Sequence, residues 1–388
     1  MKSSRIYIIA GESSGDAHGA LLMREIHDHD PMIEFYGAGG SEMKAIAGEK
    51  LLDWTQESAV VGVWDVAVKW SYFKENFKRM ADEIRQLNPD AVIFVDYPGF
   101  NLRMVKYLRR QRYAGKLIYY ISPQVWAWNR GRIPVMARVL DLMMCIFPFE
   151  KRIYEASGLR TEFVGHPMVE ELARYRISDP RDPKLIALLP GSRNREVRRI
   201  FPIMLQAAKL LRRNDPSLRF EASATSPAAR DLMQKLIADH AVPNIEVEVG
   251  NSKQLMQRAS VGMVASGTAT IEASFFQLPF VLVYKVSWLT YIPGRLLIRV
   301  DHLGMPNILA GKEIVPEFIQ HKAVPERIAQ NVWKLYSDSA TRDAMVENLN
   351  RIAGMLRAEA PQNRPAEVVL RELATRTGSQ EPEDKSQK

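Results

Sequence analysis

The sequence predicts an α/β fold with two parallel-sheet halves that face each other across a cleft. Short apolar runs alternate with amphipathic helical patterns in the first half, stop at a proline- and charge-rich stretch, and then begin again. The runs are almost continuously apolar, as in strands that are buried on both faces. Since ligands of open α/β sheets bind beyond the carboxyl ends of the strands, we expect the functional site where the two sets of strand ends meet.

Length and composition agree with this class. The chain has 388 residues, more than a single core usually holds, so two domains are expected. Lys and Arg outnumber Asp and Glu by 53 to 45, and the net charge of +8 suits an acidic partner, although a solvated basic surface would look the same. Cys145 is the only cysteine, which excludes an intrachain disulfide and indicates a reducing compartment. Without a signal-peptide core or a long apolar run, we expect a cytoplasmic protein.

The elements follow in order along the chain. First-half strands are predicted at 6–10, 33–37, 91–96, 117–121, 142–147 and 162–164, and helices at 19–27, 73–87 and 102–111. A linker at 166–167 and 178–184 precedes strands at 185–189, 219–222, 245–249, 261–265 and 279–284. Helices follow at 325–336, 341–358 and 365–374. These elements give domains at 1–165 and 166–345, C-terminal helices at 346–374, and a polar tail at 375–388 that we expect to be disordered.

Polar turns follow two strands of the first half. Gly11-Glu-Ser-Ser-Gly-Asp16 leads from the first strand into a helix, without the G-x-G-x-x-G spacing of dinucleotide sites. Asp16 suits a helix cap and Glu12 suits the cleft, while an ordinary capped turn is the alternative. Asp96 ends an apolar strand before a proline turn, where partial burial would raise its pKa and suit a general base. A capping aspartate is the alternative there.

A loop with two tryptophans follows the 117–121 strand. Gln124, Trp126 and Trp128 suit contact with a sugar or an apolar chain, and packing in the core is the alternative.

Two strand–turn–helix junctions in the second half suit phosphate. Pro190-Gly-Ser-Arg193 joins a buried strand to a helix, so that backbone N–H groups and the Arg193 guanidinium could bind one anion. The turn 265–272 repeats this arrangement, with Glu272 placed to accept hydrogen bonds from ribose hydroxyls. Ordinary capped helices are the alternative in both places.

Two segments combine apolar and basic residues. Val66, Trp70, Phe73 and Phe77 recur at helical spacing among lysines, as in a helix that lies at a membrane surface, and residues 288–299 form a second such segment. A core helix is the alternative. The seven histidines lack ligand spacing and the 28–30 acidic pair suits the surface, so no metal is expected.

Six motifs occur in order along the chain: Gly11-Glu-Ser-Ser-Gly-Asp, Val95-Asp-Tyr-Pro-Gly-Phe-Asn, Ser122-Pro-Gln-Val-Trp-Ala-Trp, Phe147-Pro-Phe-Glu-Lys, Leu189-Pro-Gly-Ser-Arg and Pro306-Asn-Ile-Leu-Ala-Gly. Together they resemble the lipid-A-disaccharide synthases over nearly the whole chain. The resemblance implies a GT-B glycosyltransferase with two Rossmann-like domains, the nucleotide being held mainly by the second. It implies an inverting transfer from UDP-2,3-diacylglucosamine to 2,3-diacylglucosamine 1-phosphate (lipid X), which gives a β-1,6 disaccharide 1-phosphate and UDP, without a cofactor.

The resemblance also assigns residues. Asp96 would be the catalytic base and Arg193 would bind the diphosphate. The nucleotide side comprises Ser192, Ser266, Gly267, Thr268, Glu272 and Asn307, and the acceptor side comprises Glu12, Ser14, Asp16, Asn101, Gln124 and Trp126. The family is peripheral on the cytoplasmic face of the inner membrane and dimeric, so we expect membrane contact at 66–77, C-terminal helices that pack back or swap, and no nucleic-acid partner. The alternatives are another GT-B enzyme that uses UDP-N-acetylglucosamine, and a non-catalytic nucleotide-binding protein at the membrane.

Overall fold

The computed structural model describes residues 4–55, 70–287, 291 and 300–377. It divides into two compact units, Met1–His166 with Ala358–Lys388, and Pro167–Arg357. The linker expected at 166–167 coincides with this division, whereas the helical segment expected at 346–374 is split between the units. Most of the two apolar-basic segments and the tail from residue 378 lie outside the described residues.

The first unit is built on a sheet of seven strands, all parallel. The strands lie in the order β3-β2-β1-β4-β5-β6-β7. The central strands are fully buried, as their continuous apolar sequences predict. The strands are β1 Arg5–Ala10, β2 Glu34–Gly39, β3 Leu51–Asp53, β4 Ala91–Val95, β5 Lys116–Tyr120, β6 Leu142–Cys145 and β7 Thr161–Phe163.

Helices connect these strands, and the last helix of the chain returns to this unit. In the chain order of the first unit they are α1 Ser13–His29, α2 Ser41–Ala47, α3 Trp70–Leu87, α4 Pro98–Arg110, α5 Val125–Trp128, α6 Ile133–Val139 and α7 Pro148–Glu155. The final helix, α16 (Pro365–Thr377), is fixed by Glu372, which is 1% exposed and pairs with Lys116 at 2.8 Å and Arg160 at 2.5 Å. A buried carboxylate with two cations holds the chain end on this sheet.

The second unit repeats the plan with six parallel strands in the order β10-β9-β8-β11-β12-β13. Its strands are β8 Asp182–Leu189, β9 Arg219–Ala224, β10 Ile245–Val249, β11 Ala259–Ala265, β12 Phe280–Tyr284 and β13 Glu317–Ile319. Its helices are α8 Met168–Ala173, α9 Asn194–Asn214, α10 Pro227–Asp239, α11 Ser252–Arg258, α12 Thr268–Phe275, α13 Met305–Ala310, α14 Pro325–Ser337 and α15 Ser339–Met355.

The predicted class, two α/β units each built on a parallel sheet, is confirmed. Two strands escaped prediction, β3 and β13, because each has only three residues and neither shows a period. β8 begins at Asp182, inside the charged stretch that was assigned to the linker. Among the described helices, none is both long and apolar enough to cross a membrane.

The strand orders locate one ligand-binding crevice in each unit. In the first sheet, β2 and β3 lie on one side of β1, and the chain then continues on the other side of β1 with β4. In the second sheet, β8 and β11 have the same relation. Loops that leave such a neighbouring pair diverge to opposite faces of the sheet, and the crevice between them is where open α/β proteins bind ligands. The four predicted turns follow these four strands.

Candidate functional site

The first crevice brings together the turns that follow β1 and β4. Ala10 is paired with Val95, so Gly11 and Asp96, the next residue on each strand, lie side by side. The Tyr97 ring rests on Gly11, because a Cβ at that glycine would lie 2.1 Å from the ring. A glycine is therefore required at position 11, and the two turns form one structure.

The Asp96 carboxyl group is largely buried, and its pKa is raised. Its pKa is raised to about 6, mainly by burial and also by the nearby negative charge of Glu12, while a hydrogen bond from the backbone of Tyr97 opposes the rise. Glu12 itself is exposed at the start of α1. A carboxylate with a pKa of about 6 is mostly ionised at neutral pH and is a much stronger base than an ordinary aspartate.

The backbone of the turn that carries Asp96 is strained, and side chains of α4 and β5 hold it in place. Asp96 and Tyr97 have φ values of +45° and +49°, a left-handed conformation that non-glycine residues rarely adopt. The Asn101 amide donates to the carbonyl oxygens of Val95 at 3.3 Å and Asp96 at 2.8 Å, and the Tyr119 hydroxyl donates to the latter at 2.6 Å. Asn101 is fully buried. The amide nitrogen of Asn101 holds the Asp96 turn, while its buried side-chain oxygen has no hydrogen-bond partner among the described residues. The contact of Asn101 with the acceptor stays a prediction.

Asp16 also points into the fold. Its carboxylate is 5% exposed and accepts three backbone N–H groups at the start of α2, from Gly40, Glu42 and Met43 at 2.7 to 3.0 Å. Asp16 therefore caps α2, not its own helix, and its oxygens are used in joining α1 to α2. Its contact with the acceptor stays a prediction. Glu12 and Ser14, from the same motif, are exposed.

The loop after β5 exposes some of the residues that were assigned to the acceptor side and buries others. Gln124 is exposed, while Trp126 is 3% exposed and its indole N–H donates to Glu150 at 2.8 Å. Trp126 packs in the core with Phe149, which is the alternative that the sequence left open. Trp128 is 44% exposed and lies under the Arg132 guanidinium.

The second crevice joins the turns after β8 and β11. Leu189 is paired with Val264, so the segments 190–193 and 265–268 leave adjacent strands at nearly the same level. Gly191 has φ +106° and Gly267 has φ +147°, conformations that favour glycine. At position 191 a Cβ would also lie 2.6 Å from the Glu196 carboxylate. Both helices that follow, α9 and α12, direct their free N–H groups to this edge.

Arg193 is placed to reach an anion at the start of α9. It is the N-terminal cap residue of α9, its side chain is 78% exposed, and it pairs with Glu196 at 3.1 Å. An exposed pair of this kind is weak, so an incoming diphosphate can take over the guanidinium. Ser192 is exposed next to it, and Thr225 donates to the Ser192 carbonyl oxygen at 3.2 Å.

The α12 turn adds small polar groups and a carboxylate. Gly267 and Thr268 are exposed and Ser266 is half-buried. Thr270 lies within the turn and donates to the Gly267 carbonyl oxygen at 2.8 Å, which rigidifies it. Burial raises the pKa of Glu272, whereas the nearby Lys253 opposes that rise. Hydroxyl groups could donate hydrogen bonds to this half-buried carboxylate.

The Asn307 amide is fully hydrogen-bonded within its own unit. It is fully buried at α13, where its amide donates to the Val315 carbonyl oxygen and to Glu317, both at 2.8 Å. Its oxygen accepts the N–H groups of Ile314 and Val315 at 2.8 and 2.9 Å. These four bonds use every donor and acceptor of the amide and give Asn307 a structural role. Its contact with the nucleotide stays a prediction.

The candidate membrane residues are described only in part. Val66 and the Trp70 side chain lie outside the described residues. Phe73 is half-buried, with its ring 6.3 Å from that of Trp54, and Phe77 lies 5.6 Å from Phe100. The phenylalanine stripe of α3 therefore contacts the unit and is also partly open to solvent.

Sequence reasoning missed three groups near these crevices. Glu150 is buried beneath the β5 loop, Lys253 lies near Glu272, and Tyr284 lies close to Arg193 and Glu196, whose charges act on its pKa. Tyr284 ends a strand next to β11, so the strand-end rule could have found it. Among the described residues, no three His, Cys, Asp or Glu side chains gather as a metal site would require.

Comparison with known proteins gives a consistent result. The family profile described as lipid-A-disaccharide synthetase matches residues 6–367. A lipid-A-disaccharide synthase from Geobacter metallireducens is 38% identical, covering 96% of this chain and 98% of that protein. Two solved structures share the fold: UDP-GlcNAc 2-epimerase from Neisseria meningitidis bound to UDP-GlcNAc (TM-score 0.60, 11% identity, 97% and 100% coverage) and MurG from Acinetobacter baumannii (TM-score 0.58, 13% identity, 96% and 99% coverage).

Proposed function

This chain belongs to the lipid-A-disaccharide synthetase family, and we propose that it joins UDP-2,3-diacylglucosamine to 2,3-diacylglucosamine 1-phosphate. The products are the β-1,6-linked lipid A disaccharide 1-phosphate and UDP. The observation that carries the proposal is the Asp96 carboxyl group, which lies at the β1/β4 crevice with a pKa raised to about 6. A non-catalytic nucleotide-binding protein would have no use for a strained turn that presents a base.

The reaction is a single displacement. The 6-hydroxyl oxygen of the acceptor attacks the anomeric carbon of the donor, and the bond from that carbon to the UDP oxygen breaks. The hydroxyl proton passes to Asp96, and UDP leaves with the electron pair. One displacement converts the α-linked donor into a β-linked product. The base must be ionised to accept the proton, and a pKa of about 6 leaves it about nine-tenths ionised at pH 7.

The second crevice serves the donor. The N–H groups at the start of α9 and α12 and the Arg193 guanidinium would stabilise the negative charge that develops on the leaving diphosphate. Ser192, Ser266 and Thr268 add hydroxyl groups, and Glu272 would accept hydrogen bonds from the ribose. Each crevice thus meets one requirement of the reaction: a base for the acceptor and a cationic, N–H-rich edge for the leaving group.

The full-length protein, mixed with both lipid substrates in detergent, should form disaccharide and UDP. Asp96→Asn keeps the shape of the side chain, and we expect it to lower kcat about 100-fold or more while UDP affinity is retained. Asp53→Asn is the matched control, because Asp53 is an exposed carboxylate at the end of β3 in the same sheet. Absence of product from the wild-type protein with active lipids would contradict the proposed function. Near-normal turnover by Asp96→Asn would contradict only the role of Asp96 as the base.

We also propose that α3 contacts the membrane, on the cytoplasmic face of the inner membrane. Support comes from the half-buried Phe73 and Phe77 and the exposed Lys74 and Lys78 of this helix. In the sequence, Trp70 has helical spacing to these phenylalanines. The combined Trp70→Ser and Phe73→Ser change should release the protein from anionic vesicles.

The control for this experiment is Met32→Ser. Met32 is an apolar residue that is 69% exposed and does not belong to α3, so its loss should leave vesicle binding unchanged. Equal binding by all three proteins would contradict membrane contact at α3. A homodimer is a further proposal from the resemblance, and light scattering at twice 44.2 kDa would support it.

A further inference from the structure

The turn after β5 lies beside the Asp96 turn. β5 pairs with β4, and Tyr120 is the partner of Val95, so the segment from Ile121 onward leaves the sheet next to Asp96. Within this segment Ser122, Pro123 and Trp126 are buried, whereas Gln124 is exposed. The turn therefore presents one amide side chain at the edge of the sheet where the base lies.

A buried carboxylate ties down both sides of Gln124. Glu150, in α7, is fully buried and accepts the Ser122 hydroxyl at 2.6 Å and the Trp126 indole N–H at 2.8 Å. Ser122 stands two residues before the glutamine and Trp126 stands two residues after it. From the same helix, the Tyr154 hydroxyl donates to the Pro123 carbonyl oxygen at 2.6 Å. α7 thus holds the turn at three successive points.

If Glu150 served stability alone, burying its carboxyl group would be unfavourable. The groups that donate hydrogen bonds to Glu150 are neutral, and burial raises the pKa of Glu150 to about 7. An apolar residue in its place would avoid the desolvation of a carboxyl group. The turn is also strained, because Ile121 has φ +64°, which is unfavourable for a β-branched residue. Strain that the surroundings maintain is typical of functional sites.

We propose that Glu150 is a positioning residue that fixes the Ser122–Trp126 turn so that the Gln124 amide binds the acceptor beside Asp96. The inference rests on the proposed function. An amide both donates and accepts hydrogen bonds, which suits the hydroxyl groups and acyl carbonyl oxygens of an acylated sugar. Glu150 acts through Ser122 and Trp126 and does not touch the substrate.

The test is a double-mutant cycle on the full-length enzyme. Glu150→Gln keeps the side-chain shape but places an amide NH₂ against a donor, which frees the turn. We expect Glu150→Gln and Gln124→Ala each to raise the KM for the acceptor about tenfold, with UDP affinity unchanged within twofold. If Glu150 works through Gln124, the double variant should be no worse than either single variant.

A purely structural role for Glu150 would give a different pattern. The two changes would then multiply to about a hundredfold effect, or UDP affinity and acceptor KM would deteriorate together, and either result would overturn the inference. Trp126→Phe and Ser122→Ala each remove one donor and leave the carboxyl group, so they repeat the cycle if Glu150→Gln does not fold. Failure of the proposed function is recognised separately, because the wild-type enzyme would then form no disaccharide.

Discussion

The pH dependence of the transfer reaction follows from the surroundings of Asp96. Its pKa is raised from 3.8 to about 6, a shift that corresponds to about 3 kcal/mol against the ionised form. With a pKa of about 6, about nine-tenths of the enzyme holds an ionised base at pH 7 and about one-tenth at pH 5. An aspartate with an ordinary pKa would still be more than about 90% ionised at pH 5. We therefore expect kcat/KM to fall about tenfold between pH 7 and pH 5.

The acceptor phosphate also titrates near pH 6, so the midpoint alone does not identify Asp96. Glu12→Gln separates the two groups, because the charge of Glu12 raises the pKa of Asp96 and does not belong to the substrate. In this variant the acid limb should move to lower pH, while the phosphate titration stays in place. Initial rates at subsaturating acceptor between pH 4.5 and 8 measure both profiles. A midpoint that is the same in both proteins would refute the assignment of the acid limb to Asp96.

Three further predictions test individual side chains. Arg193→Ala should weaken UDP binding about 10- to 100-fold by calorimetry. Glu196→Gln removes the charge that pairs with that arginine but keeps an oxygen that can cap α9, and it should not weaken UDP binding. Asn307→Ala should lower the free energy of unfolding by about 2–4 kcal/mol, because buried groups lose their partners. At a temperature where the Asn307→Ala variant is folded, its UDP affinity should be unchanged. A loss of UDP binding in the folded variant would instead support contact between Asn307 and the nucleotide. Glu372→Gln should cost about 1–3 kcal/mol in denaturant unfolding, against less than about 1 kcal/mol for Arg371→Gln in an exposed pair, and equal costs would contradict the anchoring of α16.

The sequence alone determined the two parallel sheets and the positions of the polar turns that follow their central strands. Continuous apolar runs identify buried strands, and the residue that follows such a run lies at the carboxyl edge of the sheet whatever the rest of the chain does. For this reason Asp96, Arg193 and the 265–272 turn could be selected without a structure. The edge strands β3 and β13 could not be predicted, because three residues carry no period.

Only the tertiary structure decided which polar residues near these turns are exposed at the crevices and which make hydrogen bonds inside the unit. Asp16 caps a helix that begins 25 residues later, Asn101 holds the Asp96 turn, and Trp126 is fixed by a carboxylate 24 residues away. A local pattern cannot distinguish these cases, because the direction of a side chain depends on partners that come from other elements. The pKa of Asp96 is decided in the same way: it is raised by burial in the folded sheet and by the charge of Glu12, which the pairing of β1 with β4 brings near.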